Sequence, residues 1–215
     1  MGTPQNPFTL ASWRREVAEL YANMRNIAHR DAQLASAQFR AGRDSLIRHH
    51  VESPFTADVL AGFDGIDYFP YDPAWRLVGK IDRNVERYRI EIDLVDDGVL
   101  RCSRAGIVHF RCQGMDLSLS VFWMEGYGGG LWLPFGDATN AGETYGGGRY
   151  LYDSIKGADL GAGAERASDT MLLDFNFAYN PSCAYDERWS CPLSPPENRL
   201  PLPVPAGERA FKRPR

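Results

Sequence analysis

The chain has 215 residues, 44% of them hydrophobic and 12% aromatic, enough for a substantial core in one large domain or one domain with an appendage. A formal net charge of −4 and a pI near 5.6 argue against nucleic acid as a partner, since nucleic-acid binders are usually basic. No run approaches the roughly 18 consecutive apolar residues of a membrane span, and Trp13, Arg14, Arg15 and Glu16 stand where a secretory signal needs an apolar run, so a soluble, cytoplasmic protein with no membrane partner is expected.

Residues 1–8 read as a disordered leader. From Thr9 the pattern turns helical: Leu10, Trp13, Val17, Leu20, Met24 and Ile27 recur three and four apart, with Thr9 or Ser12 as the cap. A second helix is expected over 31–50, with Leu34, Phe39, Leu46 and Ile47 buried and Gly42 as its weak point. Residues 9–50 then form a helical arm. Its apolar seam either packs within the chain as a hairpin or makes a homo-oligomer.

Pro54, Gly62, Gly65, Pro70 and Pro73 mark a loop with one short helix, after which the period changes to two. Tyr88, Ile90, Ile92 and Leu94 alternate with charged residues up to a turn at Asp96, Asp97 and Gly98. Leu117, Leu119, Val121 and Trp123 alternate with Ser118, Ser120 and Phe122, and further strands are expected near 76–81, 100–112, 131–135, 149–153 and 171–179. Short strands with tight turns predict a mainly β fold, an antiparallel meander forming a barrel-like or sandwich domain over 51–208. Residues 174–208 would be its Pro-rich C-terminal lid and 209–215 a flexible tail.

A glycine run after Tyr127 is echoed eighteen residues later after Tyr145, each run feeding a strand, which suggests two similar turns on one sheet edge. Such runs either form anion-binding nests or are turns that need positive φ. Neither has P-loop or dinucleotide spacing. Around the second run, Asp137, Thr139, Glu143, Tyr145 and Arg149 lie close enough to meet at one mouth of the barrel, to bind a ligand or to pin the turn.

The stretch 174–198 is the densest in chemistry, combining aromatics, prolines, Cys183 and Cys191. The two cysteines lack the further ligands that zinc requires, so no metal is expected. They are either a stapling disulfide or two buried thiols, and Cys102 and Cys112 belong to the core. No nucleophile elbow or zincin motif occurs, although Glu143, Asp174 or Glu197, if buried, would suit a hydrolase or transferase.

Several segments resemble the family catalogued as domain of unknown function 1684. They are Ser53-Pro54-Phe55, Phe63-Asp64-Gly65-Ile66-Asp67-Tyr68-Phe69-Pro70, the stretches 122–130 and 133–139, Thr144-Tyr145-Gly146-Gly147-Gly148-Arg149-Tyr150, 174–185 and 191–198. The resemblance spans roughly 43–208 and implies no activity. It places Arg149, Asp137, Thr139, Asn176, Tyr179, Asn180, the cysteine pair, Glu197 and Asn198 in the shared pattern.

Two readings follow. In the first, a small polar or anionic ligand binds between the Gly-rich turn and the lid, held by Arg149, walled by Tyr145 and Tyr179, and oriented by Asn176 and Asn180. A flavin would suit such a barrel, but no residue pattern specifies one. In the second, the same polar groups merely seal the barrel end in a structural or self-association module.

Overall fold

The computed structural model describes residues 6–94, 98–161 and 169–212. Five residues of the expected leader, the Asp96–Asp97 part of the first turn and the last three residues of the tail lie outside them. Helix α1 (Pro7–Ala28) starts ahead of the expected Thr9. Asn6 is its cap, accepting from the Phe8 N–H, and Pro7 supplies a first-turn residue that needs no donor. Helix α2 (Ala32–His49) is capped by Asp31, which accepts from the Leu34 N–H at 2.8 Å.

In α2 the buried residues are Ala35, Ser36, Phe39, Arg43, Leu46 and Ile47, a stripe with three- and four-residue spacing. Leu34 lies off this stripe and is exposed, contrary to the sequence-based expectation. Gly42 has a packing role. A Cβ there would sit 2.6 Å from Leu20 Cδ1, so the missing side chain is what lets α1 and α2 close on each other. Val17, Tyr21 and Met24 complete the seam from α1, and edge-on ring contacts run from Tyr21 to Phe39 and from Phe39 to Phe177. The apolar seam of the arm is therefore buried within the chain, against the sheet domain.

After the short helix α3 (Ala57–Ala61) come seven strands: β1 (Arg76–Asp82), β2 (Arg89–Leu94), β3 (Gly98–Cys112), β4 (Met115–Met124), β5 (Gly130–Phe135), β6 (Arg149–Asp153) and β7 (Thr170–Asp174). All pair antiparallel in one sheet, in the order β6-β5-β4-β3-β1-β7. The long β3 pairs β2 along its first half and β1 along its second. The sheet curls into a half-barrel, and its two end regions meet where Tyr150 and Tyr179 exchange backbone hydrogen bonds of 2.9 and 3.1 Å.

Two expectations about strand faces are corrected. In β4, Phe122 is buried and Trp123 exposed, the reverse of the expected alternation. The reason is a second apolar cluster, Cys102, Phe122, Met124, Trp132 and Tyr150, which buries the face opposite Leu119 and Val121. The last strand ends at Asp174 rather than running on to Tyr179. The Asp174 carboxylate accepts from the Asn176 N–H and turns the chain into a 3-10 helix, Phe175–Phe177, all three of whose side chains are buried.

The C-terminal stretch runs as an extended strap. Leu200, Leu202 and Val204 are buried, while Pro201, Pro203 and Pro205 between them face outward. Backbone bonds from Leu200 N to Gly136 O and from Ala138 N to Leu202 O fix it to the end of β5.

Candidate functional site

Arg149, at the start of β6, is fully buried. Its Nη1 donates to the Ala206 and Glu208 carbonyls, and its Nη2 donates to Asp137 Oδ2 at 3.0 Å and to the Val204 carbonyl at 2.9 Å. Burial pushes its pKa down, and Asp137 pushes it back up. Asp137, also fully buried, accepts in addition from Thr139 and from the Val204 N–H. The pair thus fastens the strap to the half-barrel; both Nη atoms of Arg149 are engaged with protein, while its buried Nε has no partner among the described residues.

The glycine run before Arg149 is a docking surface for the lid. Gly148 has φ +87°, and a Cβ there would lie 2.7 Å from both Phe135 O and Ser194 Cβ. The Ser194 N–H bonds to Gly147 O at 3.1 Å. The first run contains Gly128 and Gly129 at positive φ and feeds β5. Because β5 and β6 are antiparallel, the two runs lie at opposite ends of the pair rather than together on one edge.

The other expected site residues disperse. Thr139 is buried against Asp137 and Thr144, and the Glu143 side chain is 60% exposed, 4.0 Å from Arg209. Asn176 clasps Asp72 through both main-chain groups at 2.9 Å, and Asn198 does the same to Ser120 at 2.8 and 2.9 Å. Glu197 is exposed and accepts from Tyr88 and Ser120. Asp174 is buried against Arg76 at 2.9 Å, and burial raises its pKa despite the Asn176 and Arg76 contacts. Glu143, Asp174 and Glu197 thus have separate surroundings, and of these alternatives only Asp174 meets the condition of burial.

Tyr179 and Asn180 converge elsewhere, under the helical arm. Glu208, fully buried, receives Arg43 Nε at 2.6 Å, the Asn180 N–H at 2.8 Å and the Tyr185 hydroxyl. Arg43 lies over the Tyr179 ring at 5.1 Å. Burial is the largest single effect and lowers the Arg43 pKa, but Glu208 together with Tyr185, Tyr68 and Tyr21 outweighs it and the result is raised. Burial followed by Glu208 raises that of Tyr185. A cavity of about 60 Å³ opens beside this network, lined among others by Trp13, Tyr21, Asp153, Tyr179 and Asn180. A second, of about 130 Å³, lies between Asp64, Asp67 and Arg209, and Asn180 and Tyr185 border both. Both fall below the roughly 300–1,000 Å³ of drug- or cofactor-sized sites, too small for a flavin.

Asn180 is the unusual member. Its Nδ2 donates to the Arg209 carbonyl at 2.7 Å, and because a carbonyl only accepts, this contact fixes the amide orientation. Its Oδ1 is buried with no partner among the described residues. Asp153, nearly buried in the same wall, has its pKa raised by burial despite Lys156. Sequence reasoning missed Arg43, Asp153, Tyr185 and Glu208. For Arg43 a signal existed: it lies four residues from both Phe39 and Ile47, on the apolar stripe where a charge needs a partner.

Cys183 and Cys191 meet over the Gly-rich turn as free thiols. The Cys183 N–H points at Cys191 Sγ at 3.3 Å, and the Tyr145 hydroxyl lies 3.5 Å from Cys183 Sγ. Among the described residues no group of three or more His, Cys, Asp or Glu could hold a metal ion, and no helix is long and apolar enough to cross a membrane.

Residues 61–209 match the family described as protein of unknown function (DUF1684). The chain belongs to that family. The match begins later than the 43 read from the motifs, so Asn180, Tyr185 and Glu208 fall inside the DUF1684 segment, while Trp13, Tyr21 and Arg43 are supplied by the arm. The chain is also similar to the solution NMR structure of an uncharacterized protein from Haloarcula marismortui, with 30% identity and a TM-score of 0.61 over 86% of this chain and 96% of that one. That coverage exceeds the DUF1684 segment, so the likeness reaches beyond it. No curated protein matches the chain.

Proposed function

We propose that the protein binds a small polar ligand bearing a hydrogen-bond donor, in the cavity between the helical arm and residues 179–185 of the lid. The observation that carries this is Asn180 Oδ1, a buried acceptor with no donor among the described residues, on a residue that lines a cavity with Arg43 and Asp153 in its wall. Leaving such an atom unpaired costs about 1–3 kcal/mol, which a bound donor recovers. Trp13, Tyr21 and Tyr179 offer apolar walls, and Arg43 and Asp153 offer polar ones. A volume of about 60 Å³ favours a compact amide, polyol or amine. For the Gly-rich turn and Arg149 the structural reading is favoured, because the Arg149 Nη groups are engaged by Asp137 and strap carbonyls.

The test is ligand-observed NMR with a panel of small amides, polyols and amines on the full chain and on Ser182→Phe, which fills the cavity mouth without touching the Arg43–Glu208 pair. Binding should appear in the wild type and vanish in the filled variant, whose fold is checked by circular dichroism. Absence of binding across the panel, or binding unaffected by Ser182→Phe, would reject the site.

A further inference from the structure

The Cys183–Cys191 pair lies outside the ligand cavity and has no part in the proposed binding. Both thiols are partly exposed, unlike the buried Cys102 and Cys112. Cys183 sits in the 3-10 turn Ser182–Ala184, and Cys191 lies in irregular backbone seven residues beyond that turn. The Cys191 side of this loop is fastened at several points. The Tyr150 hydroxyl donates to the Pro192 carbonyl, next to Cys191, and Trp189 Nε1 donates to the Pro54 carbonyl at 3.0 Å. Arg188 reaches the Ser53, Pro54 and Phe55 carbonyls at 3.2 to 3.4 Å. Cys191 Sγ is therefore held against the Cys183 main chain, beside the second thiol, by groups other than the sulfurs themselves.

We propose that Cys183 and Cys191 form a peroxide-reactive dithiol, in which Cys183 is the attacking sulfur and Cys191 the resolving one. The thiolate of Cys183 attacks the peroxide O–O bond, forming S–O and releasing water or an alcohol once the leaving oxygen takes a proton. Cys191 then displaces hydroxide from the sulfenic sulfur, the S–S bond forms, and hydroxide leaves as water with the Cys191 proton. In sum two thiols lose two electrons and the peroxide gains them. An external thiol reverses the step by exchange.

The surroundings choose which sulfur attacks. The neighbouring Cys191 thiol chiefly, with the Tyr145 hydroxyl 3.5 Å from Cys183 Sγ and the more distant Lys156 acting in the same sense, pulls the Cys183 pKa down to about 6 against the effect of burial. Cys191 is pushed up, chiefly by that same contact and by burial. Tyr150, at Cys191's side, is raised by burial and stays neutral. A low pKa raises the thiolate fraction but weakens each thiolate as a nucleophile. The pH profile is thus more diagnostic than the absolute rate.

The test treats the full chain with one equivalent of hydrogen peroxide. The four titratable thiols should fall to two, with a mass loss of about 2 Da that dithiothreitol reverses. The rate should level off above a midpoint near 6, whereas an ordinary thiol with pKa near 8.5 would climb roughly twentyfold between neutral and pH 9. Cys191→Ser should trap a dimedone adduct on Cys183, Cys183→Ser should give none on Cys191, and Tyr145→Phe should move the midpoint upward. Four surviving thiols, a profile that climbs like an ordinary cysteine, or an adduct on Cys191 would overturn the proposal. The wild-type mass and pH profile decide it even where a variant fails to fold.

Discussion

Replacing Arg149 by Met separates a structural role from a ligand-gripping one. The substitution keeps the length of the side chain and removes every donor. It leaves the fully buried Asp137 carboxylate without its cation and the Val204, Ala206 and Glu208 carbonyls without their Nη partners. Breaking one side of a buried ion pair costs about 3–5 kcal/mol. Asp137 keeps its contacts from Thr139 and the Val204 N–H, which softens that loss, while the orphaned carbonyls add about 1 kcal/mol each. A destabilisation of about 4 kcal/mol is therefore expected, a large part of the 5–15 kcal/mol typical of a domain. In urea, with a slope near 2 kcal/mol per molar, the midpoint should fall by about 2 M. Adding Asp137→Asn removes the stranded charge and should restore roughly 1–2 kcal/mol, a non-additivity expected only of partners. A midpoint shift below about 0.5 M would refute the reasoning and return Arg149 to the list of free cations.

Asn198→Leu strips Ser120 and Pro134 of partners at 2.7 to 2.9 Å and should lower the melting temperature by roughly 6–12 °C, about 3 kcal/mol, while the exposed Glu143→Gln should stay within about 0.5 kcal/mol. Gly148→Ala should cost about 2 kcal/mol or more and speed proteolysis of the lid, since neither Phe135 O nor Ser194 can move away cheaply. Asp153→Asn tests the cavity wall through pH. Burial raises the folded pKa of Asp153, so ionisation opposes folding. The wild type loses stability as pH rises from the ordinary carboxylate range through the raised value. The variant should gain on the wild type at neutral pH and match it in acid, by urea midpoints. A variant less stable at neutral pH would mean that the Lys156 contact, at 3.9 Å, dominates instead.

Elements with strong periodicity were legible in the sequence. The seam of α1, the charged-out alternation of β2 and the strap with its outward prolines follow from residue spacing alone. The failures have physical causes. Alternation cannot reveal a sheet that buries both faces, so Phe122 and Trp123 were exchanged. Nor can it see a side-chain cap that ends a strand, as Asp174 does. At the site, the residue types of the polar cluster were legible but their partners were not. Arg149 and Asp137 are twelve residues apart and did pair, whereas Arg43 and Glu208 meet across 165 residues, a distance no local pattern encodes.

This difference in partners bears on where chemistry can occur. Polar groups that the lid spends on backbone, such as Asn176 and Asn198, are satisfied in the folded chain and have little left to offer a ligand. Between them, residues 180–191 hold two exceptions: an acceptor with no donor among the described residues at Asn180, and a thiol pair in which the Cys183 N–H points at Cys191 Sγ. The middle of the lid thus keeps polar atoms that the described residues do not pair, Asn180 Oδ1 and Ser194 Oγ among them. The helical arm, which supplies Trp13, Tyr21 and Arg43, closes that middle from the other side. Deleting the arm should therefore remove one wall of the cavity and leave the buried Glu208 without its cation, with only the Asn180 N–H and the Tyr185 hydroxyl as partners.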